Sequence, residues 1–430
     1  MKKLKILVFP CGSEIGLEIH RSLKYSSHVE LIGASSVDDH GKFVFEEYIG
    51  RLPFIDSDNI INELHKIVQE FDIDAIYPAV DKVIWKLKQF ENELGCKVIS
   101  SEFATTEICL SKINTYSVLK ATIKVPQVYG KIDEINKYPV FIKPDIGYGT
   151  RGVFKANNAN EANNFLERNK TTKFVITEYL SGDEYTVDCF TDRHGELKFI
   201  GPRKRNRVSN GISVNTGPVK TDISIFDELA VKINQKIKFR GAWFFQVKKD
   251  SNGELTLLEI ASRLGGSSAL YRGKGVNFAL LSIFDAFDVD VDVLQNDYDI
   301  ELDRALDNKY KLDISYSTVY VDFDDCLIIN SKVNTQLVSF LYFCLNNGKR
   351  LVLLTKHAID INESLTKYRL TGLFDEVIHI DKNDRKANYI INNDSIFIDD
   401  SFVERKDVCT EKNILVFSPD MLEVLMSIKN

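Results

Sequence analysis

The chain has 430 residues, 44% apolar and 27% charged, ordinary for a soluble globular protein and enough for two to four domains at roughly 100–200 residues each. Its net charge of −7 argues against a general nucleic-acid binder, because a phosphate backbone needs a basic face. The longest apolar run, LVSFLYFCL from position 337, is too short to span a bilayer, and seven scattered cysteines without metal-ligand spacing fit a reducing cytoplasm.

MKKLKILVFPCGSE offers about six apolar residues before Pro10, fewer than the roughly 7–15 of a secretory signal, so it reads as a first β-strand. KLKILVFPCGSEIGLEIHRSL continues as strand, small-residue turn and helix. VELIGASS is a second strand, and IINELHKIVQEFDIDAIYPAVD is an amphipathic helix feeding another. This alternation predicts βαβ units on a parallel sheet over 1–100. GSEIG lacks the full dinucleotide fingerprint, so a tight strand-to-helix turn is the favoured reading over a nucleotide site.

The pattern changes from about 101. SKINTYSVLKATI is helical, and YPVFIKPDIGYGTRGVFKA is strand, glycine-rich turn, strand. Antiparallel strands follow across a RHGE turn, then a hairpin closed near DSNGE and a glycine-rich exit. Residues 286–313 are acidic without a clear apolar period; they read either as a solvated connector or as the end of the preceding domain, and the boundary is placed near 310. Strands at about 316–322, 350–354, 376–380, 395–398 and 413–417 then alternate with helices. The expected domains are therefore 1–100, 101–310 and 311–430, in a mixed α/β and α+β chain.

Binding ATP requires lysines, loop N–H groups and oxygen-bound divalent cations for the phosphates, an apolar slot for adenine and a carboxylate for the ribose. The middle region supplies these in order. Lys112 opens a helix, and Lys143 ends a strand before GYGTRG. TEYLSGDEYTVD carries Glu178, Leu180 and Glu184, and Gln246 and Glu259 lie on paired strands, with Arg263 and GGSS after them. Taken singly these are ordinary surface lysines, strand residues and a hairpin turn.

Together, IKPDIGYGTRGV, TEYLSGDEYTVD and LLEIASRLGGSS resemble the ATP-grasp superfamily, in its carbamoyl-phosphate-synthase-like branch, over about 1–305. The resemblance implies a Rossmann-like domain before the clamp. It implies that Lys112 and Lys143 bind ATP phosphates and that Gly147, Gly149 and Gly152 form a lid over them. Glu178 and the Leu180 backbone would hold adenine, Glu184 the ribose, and Gln246 and Glu259 Mg²⁺. Arg205 and Arg263 look like the arginines that hold a phosphate or a substrate carboxylate. EIASR departs from the family's E-x-N-P-R: Ala261 stands where an asparagine usually ligates metal.

Near the end, STVYVDFDDCLIINS packs three aspartates behind a strand, like charges that become tolerable around a divalent cation. Asp322 and Asp324 are followed by Thr355 in VLLTKH, Lys386 in DRKANYI, and Asp399 and Asp400 in IFIDDSF. Each ends or follows a strand on the edge where α/β sheets bind ligands. Over 315–430 this resembles the haloacid-dehalogenase-like phosphatases. The resemblance implies Asp322 as nucleophile, Asp324 as general acid and base, and Thr355 and Lys386 on the phosphoryl oxygens. Asp399 and Asp400 would hold Mg²⁺ with Asp322 and Asp324. Cys326 replaces the usual threonine, and Lys382 is a less favoured stand-in for Lys386. Intervals of about 30 residues between the motifs leave no room for a large cap.

The expected protein is a cytoplasmic enzyme with two activities. An ATP-grasp ligase joins a carboxylate to an amine or related nucleophile through an acyl phosphate, and a Mg²⁺-dependent phosphatase acts on a phosphate ester. Small molecules are the expected partners, without nucleic acid or membrane, and homo-oligomers are compatible with the sequence. A kinase or carboxyphosphate-forming clamp, and a clamp that senses ATP without turnover, are the alternatives; Ala261 favours the last.

Overall fold

The computed structural model describes residues 3–147, 149, 151–307, 310 and 314–426. Its contacts divide the chain into two compact units, Met1–Asp307 and Asn308–Asn430.

The first unit begins with a parallel sheet. Its strands run in the order Glu47–Ile49, Val29–Ala34, Leu4–Phe9, Ala75–Pro78, Lys97–Val98. The apolar run after the N-terminal lysines is thus an inner strand. Ile6 and Val8 enter one core and Leu7 and Phe9 another, as a strand buried on both faces requires. Ser13 ends the turn after this strand: its hydroxyl accepts from Gly16 N at 3.0 Å and caps helix Glu14–Leu23.

Two antiparallel sheets follow. One has four strands, in the order Val128–Tyr129, Phe174–Glu178, Val140–Pro144, Phe154–Ala156. The other has six, in the order Leu255–Ala261, Gly241–Lys249, Glu184–Thr191, Leu197–Ser209, Ile212–Pro218, Leu302–Asp303. Leu302–Asp303 pairs with Asn215–Thr216, and Val291, Val293 and Ile300 pack on the first core. Of the two readings left open for the acidic stretch, its part up to 307 is the end of the first unit.

The second unit is a five-stranded parallel sheet ordered Glu376–His379, Arg350–Thr355, Thr318–Val321, Ser395–Ile398, Leu415–Phe417. Val319, Val321, Leu351 and Leu353 face one core; Tyr320, Val352 and Leu354 face the other. A short hairpin, Ile328–Ile329 with Lys332–Val333, and helix Thr335–Asn346 fill the interval after the first strand. Helix Ile361–Lys367 and strand Glu376–His379 fill the next. No helix among the described residues is long and apolar enough to cross a membrane.

Candidate active sites

A cleft of about 950 Å³ in the first unit is lined from both antiparallel sheets. It collects Lys112, Lys143, Glu178, Leu180, Glu184, Arg205, Gln246 and Glu259, residues spread over nearly 150 positions of the sequence. Apolar lining comes from Phe141 and Leu258 among others. Gly147 and Gly149 border the cleft and Gly152 stands outside its lining. Gly149 and Gly152 have φ of 61° and 70°, which L side chains rarely adopt.

Strand Val140–Pro144 places Lys143. Its ammonium is buried, donating to Tyr116 Oη at 2.7 Å and to Leu258 O at 3.3 Å. Burial, then the charge of Lys112, pushes it down to about 7, against the pull of Glu259 and Glu184. Lys112 donates to the carbonyls of Asp145 at 3.3 Å and Gly147 at 3.1 Å, so it braces the glycine-rich loop. Ser111 caps its helix, and Asp145 accepts from both Ser111 Oγ and Ile113 N.

Strand alternation brings the opposite wall together. Gln246 and Glu259 are Cα partners across the hairpin, and Glu184 is paired with Lys248. Arg205 bridges this face. Its Nη1 donates to Glu184 and, at 2.7 Å, to Gln246 Oε1, and its Nη2 to Gly211 O at 2.6 Å. Glu184 is therefore not a bare acceptor; Lys248 also stands 3.6 Å away. Glu178 Oε1 accepts from the backbone N–H of Gln127 at 3.0 Å. Ala261 is buried and adds no oxygen to this wall.

A wider cleft of about 2520 Å³ shares Arg205, Gln246 and Glu259 with the first and reaches the turn around Ser13. Arg263 lies here rather than in the first cleft, and its guanidinium is committed to Asp81, at 2.9 and 2.8 Å. Sequence reasoning passed over Arg203, which lies two residues before Arg205 and so on the same strand face. Arg203 lines the cleft and forms a buried ion pair with Asp188 at 2.6 Å, and its Nη1 has no partner among the described residues. A buried guanidinium nitrogen left open in this way suits an anionic ligand.

In the second unit, strands Thr318–Val321 and Ser395–Ile398 are neighbours, so Asp322 and Asp399 emerge side by side. Lys386 Nζ lies 2.7 Å from a carboxylate oxygen of each. Burial pushes Asp322 up to about 6, with Lys386 opposing and Asp399 adding to the rise; Asp399 is raised by burial too. Burial works against the charge on Lys386, but the two carboxylates outweigh it and hold the ammonium above its usual range. Asp322, Asp399 and Asp400 each offer an oxygen within 4.8 Å of the others, a spacing that suits one cation. Thr355 Oγ1 is buried beside them in the sheet with no partner among the described residues.

Asp324 departs from this group. Its carboxylate is exposed and turned to His357, so the structure does not bring it together with the oxygens of Asp322, Asp399 and Asp400, the other residues expected to hold metal. Sequence reasoning gave His357 no role, although it stands two residues beyond Thr355 in TKH. The Cys326 thiol is buried, with its sulfur 3.8 Å from Ile398 O, and burial pushes it far up.

Residues 170–305 match a family model described as ATP-grasp in the biosynthetic pathway with Ter operon. The D-alanine–D-alanine ligase of Fusobacterium nucleatum is 30% identical over 190 residues, 42% of this chain and 65% of that protein. The chain thus spans just under two thirds of that relative's length. Among solved structures, the biotin carboxylase domain of Hydrogenobacter thermophilus 2-oxoglutarate carboxylase superposes with a TM-score of 0.59 at 16% identity, covering 68% of this chain and 71% of that one. The L-amino acid ligase of Bacillus licheniformis gives 0.54 at 17% identity, covering 66% and 74%. Sequence and fold together support an ATP-grasp assignment for the first unit.

Proposed function

We propose that this chain, whose first unit is of ATP-grasp type, is an enzyme of two activities: an ADP-forming ligase and a phosphomonoester hydrolase of haloacid-dehalogenase-like type. The domains are read as 1–100 and 101–310 for the ligase and 311–430 for the hydrolase.

One observation carries the ligase reading: two lysines, two glutamates of the adenine and ribose positions, and the Gln246–Glu259 pair converge on a single half-apolar cleft. Its size suits a nucleotide. Lys143 and Lys112 would neutralise the phosphates, and the charge of an incoming phosphate would restore the proton that burial strips from Lys143. Glu178 and the Leu180 backbone would receive adenine. The ribose would take up Glu184 from Arg205, freeing that guanidinium toward the phosphate. Gln246 and Glu259 would hold Mg²⁺, with water filling the position that Ala261 leaves without an oxygen. The bound cation would spread the charge of the phosphoryl group in flight. That group passes to a substrate carboxylate in the wider cleft, where Arg203 Nη1 offers an anion site. An amine or related nucleophile then attacks the acyl carbon and phosphate leaves. The likeness to a D-alanine–D-alanine ligase and an L-amino acid ligase supports a carboxylate–amine pair.

The hydrolase reading rests on Lys386 held between Asp322 and Asp399, with Thr355 Oγ1 beside them and without a partner among the described residues. Thr355 and Lys386 would hold phosphoryl oxygens. Three converging carboxylate oxygens fit Mg²⁺, which would neutralise the phosphate that Asp322 must approach. Asp322 attacks phosphorus, and Asp324 protonates the leaving oxygen.

Incubation with ATP, Mg²⁺ and pooled carboxylates and amines should release ADP only when both acceptor and nucleophile are present; mass spectrometry identifies the product. ADP release with the carboxylate alone would favour a kinase instead. Asp322→Asn is expected to abolish p-nitrophenyl phosphate hydrolysis and leave ATP binding intact. Hydrolysis at the parent rate would refute the nucleophile assignment.

A further inference from the structure

Asp324 has a carboxylate 53% exposed, and among the described residues its side-chain hydrogen bonds run to one imidazole. His357 is fixed from several directions. Its Nδ1 lies 3.0 and 2.8 Å from the two carboxylate oxygens of Asp324, and its Nε2 lies 2.8 Å from Ser364 Oγ. The Phe323 ring packs edge-on against it with centroids 4.8 Å apart. Its carbonyl oxygen accepts from His379 Nε2 at 2.7 Å. Serine, histidine and aspartate thus stand in line, but Ser364 is only 4% exposed. That burial excludes Ser364 as a nucleophile toward an outside substrate and leaves it as the anchor of the ring.

An exposed aspartate with no partner would spread over several rotamers, and each misplaced rotamer would take the carboxyl out of proton-transfer reach. Holding one geometry in advance is what a locked neighbour supplies. We propose that His357 is a positioning residue for the hydrolase: anchored by Ser364, it holds the Asp324 carboxylate in one orientation for proton delivery to the leaving oxygen. The inference rests on the hydrolase reading above. In the step concerned, the bond from Asp322 oxygen to phosphorus forms as the ester P–O bond breaks, and the leaving oxygen takes the Asp324 proton. Water then attacks the aspartyl phosphate, returns a proton to Asp324 and releases inorganic phosphate.

Two esters separate this role from a merely structural one. The leaving group of 2,4-dinitrophenyl phosphate needs no proton, whereas that of glycerol 2-phosphate does. His357→Ala is expected to lower kcat/KM on glycerol 2-phosphate by about 10- to 100-fold, less than the roughly 10²–10⁴ that a whole general acid supplies because Asp324 itself remains. The same variant should lose less than about 3-fold in kcat/KM on the dinitrophenyl ester, which also reports that the fold survives. His357→Asn, whose amide reaches the Nδ1 position, should recover most of the loss. In an Asp324→Asn background, His357→Ala should change nothing further. Equal losses on both esters, an asparagine variant no better than alanine, or a further fall in the Asp324→Asn background would overturn the proposal. A parent protein that hydrolyses neither ester with Mg²⁺ present would overturn the hydrolase reading and this proposal with it.

Discussion

Lys143 shows how a single side chain is set against the fold that carries it. Its ammonium sits among apolar groups and near Lys112, so folding costs it solvation and its proton is held only to about 7. In the unfolded chain the same group keeps its proton to 10.5. Between these values the unfolded state binds more protons, so the contribution of this lysine to stability rises with pH from about 7 to about 10.5. Lys143→Met removes the buried charge and leaves Tyr116 Oη donating to Leu258 O at 2.7 Å. The variant is expected to be at least as heat-stable as the parent at pH 7 and to lack that part of the pH dependence. It should bind ATP more than about tenfold more weakly, since a charge-assisted phosphate contact contributes roughly 1.5–3 kcal/mol. Calorimetric titration and thermal melts from pH 7 to 10 measure both; unchanged ATP affinity would remove Lys143 from the site.

At the scale of elements, strand ends and helix caps do the placing. Helix Lys112–Leu119 begins where it does because Ser111 Oγ accepts from Asn114 N and donates to Asp145, which follows strand Val140–Pro144. One cap thus ties the helix of Lys112 to the strand of Lys143. Ser111→Ala is expected to cost about 1 kcal/mol, the usual value of such a cap, and to weaken nucleotide binding although Ser111 lies outside the cleft lining. Denaturant melts and ATP titration test this, and an unchanged affinity would mean that the cap does not position Lys112. The elements themselves were legible. The apolar run in YPVFIKP and the acidic hairpin turn DSNGE needed only local chemistry to be read as a strand and a hairpin, and so did the five strands of the second unit's parallel sheet. The strand Leu302–Asp303 was not legible. It is two residues long, in an acidic stretch, and exists because Asn215 and Thr216 offer an edge to pair with.

At the scale of the whole molecule, the two units have separate cores and each gathers its own site. A protein ending after Asp307 retains the strand Leu302–Asp303 and Arg304, whose guanidinium reaches Glu14. It is expected to bind ATP with the affinity of the full chain and to hydrolyse no phosphate ester. A cut at 300 should instead destabilise the first unit, because Asn215 loses both Glu301 and Asp303. Thermal melts of the two truncations, with ATP titration, distinguish these outcomes; equal stability of both would show that residues 301–307 contribute nothing to the fold.

The sequence by itself determined most of the strands and helices and the residue types that chemistry on phosphate requires, because period, turn chemistry and motif spacing act over a few neighbouring positions. Only the tertiary structure decided which charges meet. Arg205 lies 21 residues from Glu184 and 41 from Gln246, yet it bridges them across paired strands. Arg263 is drawn to Asp81 from 182 positions away, and Asp324 is turned from the carboxylate group toward His357. Such pairings depend on register and on which strands become neighbours, and a buried charge takes the nearest partner that the packed chain provides.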